Sequence, residues 1–140
     1  MQMEYGKVDT LNIDPRKGNA VLAESAQMAR LAALIADDRK AKGVKILDIR
    51  SISTVADYFV ICSGTSSTHV RAIADNVEEK LSSQGIHLHH MEGYQNGRWI
   101  LLDYGDIVVH VMHDDERQFY NLERLWGDAR EVAMPTSEAG

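Results

Sequence analysis

Apolar residues follow helical spacing in two segments of the chain. Residues 70–81 carry them at i, i+3, i+4 and i+7, with Ser66 or Ser67 placed to cap the helix and Gly85 placed to end it. A second helix is predicted over residues 21–42, and Gly43 is expected to end it. Its apolar stripe consists of Leu22, Met28, Leu31 and Ile35.

Strand patterns lie between and after these helices. Tyr58–Cys62 is continuously apolar, which predicts a central strand buried on both faces. The other predicted strands are Val44–Arg50, Ile86–Tyr94, Trp99–Asp103 and Ile107–Met112. Asn96-Gly97 is a strong hairpin signal, and Tyr104-Gly105 predicts a second turn.

A last helix is predicted after these strands, and it completes the order α-β-β-α-β-β-β-α. Asp114 or Asp115 would cap it, Gly127 would end it, and its stripe is Phe119, Leu122 and Trp126. The order predicts an α/β fold of the α+β type, with a mixed five-stranded sheet and flanking helices. Residues 58–92 are expected to form a β-α-β unit with a parallel strand pair. One domain is predicted over residues 21–130, between flexible tails at 1–20 and 131–140.

Composition narrows the class of protein. With 140 residues, 44% apolar and 26% charged, the chain has the balance of a soluble globular domain. It has no apolar run long enough for a membrane span. Cys62 is the single cysteine, which excludes a disulfide framework and a cysteine-based zinc site. No signal peptide is visible at the N-terminus, so a cytoplasmic location is expected.

The net charge of −6 lies entirely in the last third of the chain. Residues 99–140 carry nine acidic and three basic side chains, whereas residues 1–98 carry twelve of each. A nucleic-acid-binding surface needs the opposite sign. The acidic segment therefore argues against direct nucleic-acid binding and fits a basic protein partner, although acidic surfaces also serve solubility alone.

The loop Ser63–Ser67 follows a buried strand and precedes a helix, a position where anions can bind. A nucleotidyltransferase-like enzyme or a nucleotide-binding protein using this loop is the alternative function. Such an enzyme needs carboxylates that converge on Mg²⁺, and Asp57, Asp103 and Asp106 lack the short spacing that would bring them together. A strand-to-helix turn with a serine cap explains the loop equally well.

Histidines suggest no metal site, because His87 and His89 have no cysteine partner and no ligand set of known spacing. His110 is expected to be held by a hydrogen bond within the sheet. The segment 99–126 instead combines five of the nine aromatic residues with regularly placed acids. This composition is typical of a protein interface, where rings anchor and carboxylates select a basic partner. The alternative is that the rings are ordinary core residues.

Three segments of the chain, taken in their order and spacing, resemble the ribosomal silencing factor family, also called Iojap. They are ADYFVICSG at 56–64, GRWILLDYGDIVVH at 97–110 and RQFYNLERLW at 117–126. The resemblance spans about residues 22–130 and implies a protein without enzymatic activity or cofactor. It implies a fold related to nucleotidyltransferases but lacking their catalytic acids, and a homodimer when free.

The same resemblance implies binding to the large ribosomal subunit through its universal ribosomal protein number fourteen. The bound factor would block joining of the small subunit by overlap and lower translation when nutrients are scarce. We expect Trp99, Leu101 and Asp103 to share one strand face, since side chains alternate along a strand. The turn at Tyr104-Gly105 is expected to carry Tyr104 and Asp106 to the rim of the sheet. The predicted docking residues are Trp99, Leu101, Tyr104 and Asp106, supported by Asp103 and His110.

Overall fold

The computed structural model describes residues 18–134 and contains four helices and six strands within that range. The helices are α1 (Gly18–Asp38), α2 (Ser67–Ser83), α3 (Asp114–Tyr120) and α4 (Leu122–Leu125). The strands are β1 (Lys42–Asp48), β2 (Tyr58–Gly64), β3 (His90–Glu92), β4 (Trp99–Asp103), β5 (Ile107–His113) and β6 (Arg130–Val132). None of these helices is long and apolar enough to cross a membrane.

All six strands form one mixed sheet in the order β3-β4-β5-β2-β1-β6. The prediction of a mixed sheet with flanking helices is confirmed, but the predicted number of five strands is wrong. The parallel pair is also not the predicted one, because β2 pairs with β5 and β3 pairs only with β4. β3 and β4 form a hairpin, and β4 turns directly into β5, so β5 takes the place next to β2. The relation to nucleotidyltransferases stays a prediction.

One face of the sheet, which we call the covered face, carries Val60, Leu102 and Val109 and lies under α1 and α2. Alanines along α1, including Ala29, Ala32 and Ala33, let that helix approach the strands closely. The stripe predicted for α2 is buried here as expected, from Val70 to Leu81. Ser66 is the N-cap of α2, and its hydroxyl accepts a hydrogen bond from the His69 amide, which confirms the predicted start.

The opposite face, which we call the open face, carries Phe59, Leu101 and His110. Its core is smaller than that of the covered face, and α4 reaches it through Leu122. Trp126, directly after α4, packs against this core with its ring centroid 5.2 Å from that of Phe59. β2 lies between both cores and is buried along its whole length, as its continuous apolar run predicts.

Three predicted boundaries are wrong: the end of α1, the start of β1 and the extent of β3. α1 ends at Asp38 rather than at Gly43, because Lys40 adopts a left-handed conformation that turns the chain into β1. Gly43 belongs to β1, where its positive φ accompanies an irregularity in the pairing with β2. The strand predicted over Ile86–Tyr94 is reduced to the three residues of β3.

Three further corrections concern the chain after β5. The single helix predicted up to Gly127 is split at Asn121, whose left-handed backbone ends α3 and begins α4. The acids placed as caps follow His113, which is the actual N-cap of α3. The sequence predicts no strand at β6, whose last two residues fall in the predicted C-terminal tail. β6 pairs with β1, and Arg130 binds the buried Asp48 carboxylate at 3.0 Å.

The single domain of residues 21–130 stays a prediction. Within the described residues, α1 begins at Gly18 and β6 ends at Val132. Residues 1–17 and 135–140, which make up most of the two predicted tails, lie outside the described residues. The tails therefore stay predictions.

Candidate functional site

Trp99, Leu101 and Asp103 lie side by side along β4 and are partly exposed, whereas the intervening Ile100 and Leu102 are buried on the covered face. The alternation confirms that these three predicted residues share one face. Tyr120, the last residue of α3, contacts Trp99, and the centroids of the two rings are 5.2 Å apart. The open face over β4 thus presents an aromatic and an aliphatic side chain next to a carboxylate.

Two acidic side chains lie next to Leu101, Asp103 along β4 and Glu92 across from it on β3. The pairing of β3 with β4 sets Glu92 opposite Leu101 and His90 opposite Asp103. Glu92 is exposed, and its carboxylate lies 2.7 Å from His90 Nε2. Glu92 and His90 are not among the docking residues predicted from the sequence. The hairpin signal at Asn96-Gly97 could have suggested it, because a hairpin places the preceding strand beside β4.

The buried His110 forms a hydrogen bond with the partly exposed Trp99. The indole Nε1–H donates to His110 Nδ1 at 3.2 Å, which confirms the expected hydrogen bond of that histidine. His110 is only 5% exposed, and its ring and that of Phe59 pack in a T-shaped arrangement with centroids 4.6 Å apart. Burial lowers the pKa of His110 to about 4, so its ring is neutral near pH 7. His110 therefore supports the surface without being part of it.

Tyr104 does not belong to this surface, and its assignment as an exposed docking residue is wrong. It is 4% exposed and lies in the core of the covered face. The turn after β4 was expected to bring Tyr104 to the rim. Instead the alternation continues for one more residue, so Tyr104 points away from the side of Asp103. Burial, followed by the nearby charge of Glu78, raises the pKa of the Tyr104 hydroxyl.

The turn between β4 and β5 places Asp106 at the rim of the sheet, where it is exposed. Asp103 Oδ1 accepts a hydrogen bond from the Gly105 amide at 2.8 Å, and Gly105 adopts a positive φ of 88°. The Asp106 carbonyl accepts from the Asp57 amide at 2.8 Å, which fixes the turn against the strand before β2. Burial and then the Asp106 charge raise the pKa of Glu24, so Asp106 adds to an acidic rim.

An exposed aromatic pair extends the surface beyond the predicted residues. Phe119 is 80% exposed and Tyr120 51% exposed, with ring centroids 5.0 Å apart. Phe119 is predicted on the apolar stripe of one continuous helix, so its exposure differs from the prediction. The break at Asn121 ends that helix and leaves both rings outside the core. Asparagine tolerates the left-handed conformation better than most residues, and this was the available signal.

A family model described as "Ribosomal silencing factor during starvation", RsfS, matches residues 22–139 of the chain. The chain belongs to the RsfS family. The resemblance drawn from the three sequence segments is thereby confirmed.

Relatives named RsfS align with most of the residues that the family model matches. The protein named ribosomal silencing factor RsfS from Bacillus subtilis is 50% identical over 100 residues, which is 71% of this chain and 85% of the relative. Its counterpart of the same name from Halalkalibacterium halodurans is 47% identical over 108 residues, 77% of this chain and 92% of the relative. The protein Iojap, chloroplastic, of Arabidopsis thaliana is 30% identical and is covered over 56% of its length.

Solved structures support the same fold for the RsfS domain. A crystal structure of a protein from Chromobacterium violaceum superposes with a TM-score of 0.71 at 32% identity, covering 81% of this chain and 94% of that one. A second, from Bacillus halodurans, gives a TM-score of 0.67 at 44% identity, covering 80% and 99%.

Three residues of the loop Ser63–Ser67 form hydrogen bonds with other groups of the chain. The Thr65 amide donates to His69 Nδ1 at 3.0 Å, and Ser66 caps α2. The Ser63 hydroxyl contacts the Lys42 carbonyl at 3.4 Å. Residues 18–134 contain no group of three or more histidine, cysteine, aspartate or glutamate side chains arranged to hold a metal ion. These contacts fit the interpretation of a capped strand-to-helix turn.

Cys62 lies inside β2 and is fully buried. Burial raises the pKa of its thiol to about 12, so the thiolate form is absent near pH 7. Cys62 therefore serves as a small apolar residue of the covered-face core, as its apolar neighbours in the sequence predict.

Proposed function

We propose that this RsfS-family chain acts in the cytoplasm by binding the large ribosomal subunit through universal ribosomal protein number fourteen. Bound there, it blocks joining of the small subunit by overlap and lowers translation when nutrients are scarce. The names of the RsfS relatives support a role in ribosome silencing. The identity of the ribosomal partner and the block of subunit joining come from the family resemblance and are part of the proposal.

The observation that carries the proposal is the uncovered part of the open face over β4. Trp99 and Leu101 are partly exposed although they continue the core of that face. Exposed apolar surface with a polar rim marks a protein interaction site. Phe119 and Tyr120 enlarge its apolar part at the Trp99 end.

The charges around this surface support a basic partner. Asp103, Glu92 and Asp106 are partly or fully exposed around Leu101 and at the rim. They belong to a chain whose net charge is −6. Complementary charge speeds association and disfavours acidic partners, and ribosomal proteins are in general basic. The mechanism needs no bond making or breaking, because a rigid domain on the joining surface excludes the other subunit by volume.

Trp99→Ala tests the proposal most directly. An aromatic anchor at the centre of an interface typically contributes about 2–4 kcal/mol, so affinity for purified large subunits should fall roughly 30- to 1000-fold. The melting temperature should change little compared with that of a core variant, since Trp99 is partly exposed. Binding is measured by co-sedimentation with large subunits, and thermal unfolding is recorded on the same preparation.

The matched control is Tyr104→Phe. Tyr104 lies on the covered face, and its hydroxyl finds no hydrogen-bond partner among the described residues. Removing the hydroxyl should leave both binding and melting near those of the parent chain. Full binding by Trp99→Ala, or loss of binding only together with loss of the fold, would contradict the proposed surface. Parent protein that stays at the top of a sucrose gradient of lysate would contradict the proposed function itself.

A homodimer is proposed for the free protein, on the basis of the family resemblance. Light scattering at micromolar concentration should give about twice the chain mass of 15.7 kDa. Monomeric mass maintained at high concentration would contradict this part of the proposal.

A further inference from the structure

His110 is a polar residue within the otherwise apolar run Ile107–Met112 of β5. Its neighbours Val109 and Val111 are fully buried, and its partners across the sheet are Leu101 on β4 and Ile61 on β2. An aliphatic side chain would suit this position in the core better, because burying an imidazole requires hydrogen bonds for both ring nitrogens.

Only one ring nitrogen of His110 has a hydrogen-bond partner among the described residues. Nδ1 accepts from the Trp99 indole at 3.2 Å, whereas the buried Nε2 has none. An indole nitrogen can only donate, so Nδ1 must carry the free electron pair and the ring proton lies on Nε2. The buried Nε2–H is an unsatisfied donor, which is unfavourable for folding. Among the described residues, the one side-chain hydrogen bond of His110 is the one from Trp99.

Trp99 has contacts on two sides that together determine its orientation. His110 fixes the indole nitrogen from inside the sheet, and Tyr120 packs against the ring from α3. The indole is otherwise partly exposed at the open face. A side chain at such a place loses rotamer freedom on binding unless its orientation is already fixed in the free protein.

We propose that His110 is a positioning residue, which holds the Trp99 indole in the orientation that docks on the partner. This inference rests on the proposed function, because it assigns Trp99 the role of the interface anchor. It explains why a histidine with an unsatisfied nitrogen lies at a position suited to an aliphatic residue. His110 itself does not touch the partner, since it lies below the surface.

Two substitutions separate positioning from a merely structural role. His110→Leu fills the site with apolar atoms, removes the unsatisfied donor and removes the acceptor for Trp99. His110→Asn keeps an acceptor oxygen close to the position of Nδ1 but leaves a gap in the core. We expect His110→Leu to fold at least as stably as the parent and to bind large subunits roughly 3- to 10-fold more weakly, the range for losing the order of one side chain. His110→Asn should be less stable yet bind close to the parent.

The spectroscopic measurement is the indole ¹H–¹⁵N signal of Trp99. The chain has two tryptophans, so Trp126 provides an internal reference in the same spectrum. The Trp99 signal should move, and its hydrogen exchange should become faster, in His110→Leu, while His110→Asn keeps a hydrogen-bonded signal. The Trp126 signal should stay in place in both variants. In a Trp99→Phe background, His110→Leu should cause no additional loss of binding, because no indole is left to orient.

The outcomes distinguish this inference from the proposed function. Parent protein that binds large subunits, together with His110→Leu that binds equally well, would overturn the positioning role alone. An unmoved Trp99 signal in His110→Leu, or binding by His110→Asn as weak as that of His110→Leu, would also overturn it. Parent protein that does not bind large subunits would overturn the proposed function, and with it the docking role of Trp99.

Discussion

The covered face and the open face are built from the same strands but are enclosed to different extents. α1 and α2, with 21 and 17 residues, cover one face, and the core below them includes Val60, Leu102 and Val109. α3 and α4, with 7 and 4 residues, cover only part of the other. The uncovered remainder holds Trp99 and Leu101.

The two faces also differ in the polar and aromatic groups that they carry. The buried histidine, His110, belongs to the open face, and the exposed rings of Phe119 and Tyr120 lie beside it. The covered face has the larger apolar core and two long helices, which suits it to stabilising the fold. The open face keeps aromatic and acidic groups at the surface, which suits it to recognition.

The largest expected effect is on the free energy of unfolding, and two adjacent leucines on opposite faces test it. Leu102 is fully buried on the covered face, so Leu102→Ala should lower the free energy of unfolding by about 2–5 kcal/mol. Its neighbour Leu101 is partly exposed, so Leu101→Ala should lower it by only about 1 kcal/mol and should instead weaken binding to large subunits. Denaturant unfolding and co-sedimentation are measured on both. Equal losses of stability would show that the two faces do not differ as described.

The next effect is a pH dependence that belongs to the open face. The pKa of His110 is about 4 in the folded chain because of burial, and an unfolded histidine has an ordinary value of about 6.5. Between these values the unfolded chain binds a proton that the folded chain does not. The free energy of unfolding should therefore fall by about 1.4 kcal/mol per pH unit as pH decreases through this window, about 3 kcal/mol in total.

His110→Leu provides the control for this pH dependence. The full stabilisation is present above about pH 6.5 and is lost towards pH 4, and the variant should lack that slope. Asp48 contributes separately, because hydrogen bonds from Arg50 hold the pKa of its carboxyl well below the ordinary value. Its stabilisation is lost only at more acidic pH, below the His110 window. Denaturant unfolding at a series of pH values measures both, and identical slopes in parent and variant would contradict the assignment to His110.

The smallest effect concerns Asp106 at the rim. Asp106→Asn should leave the free energy of unfolding nearly unchanged, because the carboxylate is exposed. It should slow association with large subunits a few-fold and reduce the salt dependence of that rate. The pKa of Glu24 should decrease as well, since the Asp106 charge contributes to raising it. A change confined to the dissociation rate would place Asp106 in the buried centre of the interface instead of at its rim.

The sequence predicted the parts of this comparison that depend on long periodic patterns. The helix α2 with its Ser66 cap, the buried strand β2 and the shared face of Trp99 and Leu101 all follow from spacing alone. Each of these patterns extends over several residues and has one physical solution. The family assignment also came from the sequence, because three long segments matched in order and spacing.

The errors occurred where one or two residues decide the structure. Three-residue strands such as β6 have no period to detect, and β6 is held by its pairing with β1 and by the Arg130–Asp48 contact. The left-handed backbone at Asn121 divides a helix whose apolar spacing looks continuous. Tyr104 was expected at the rim because it belongs to the predicted turn, but its side chain lies in the core of the covered face.

The position of β5 between β4 and β2 has a consequence for how the chain is assembled during synthesis. β1 with β2, and β3 with β4, are pairs of neighbours that can form soon after they are made. They become one sheet only when residues 107–113 supply the strand that lies between them. Such non-local contacts are slow to form, and an unpaired strand edge invites association with other chains. A nascent chain that stops before residue 107 therefore lacks the strand through which its two hairpins join into one sheet.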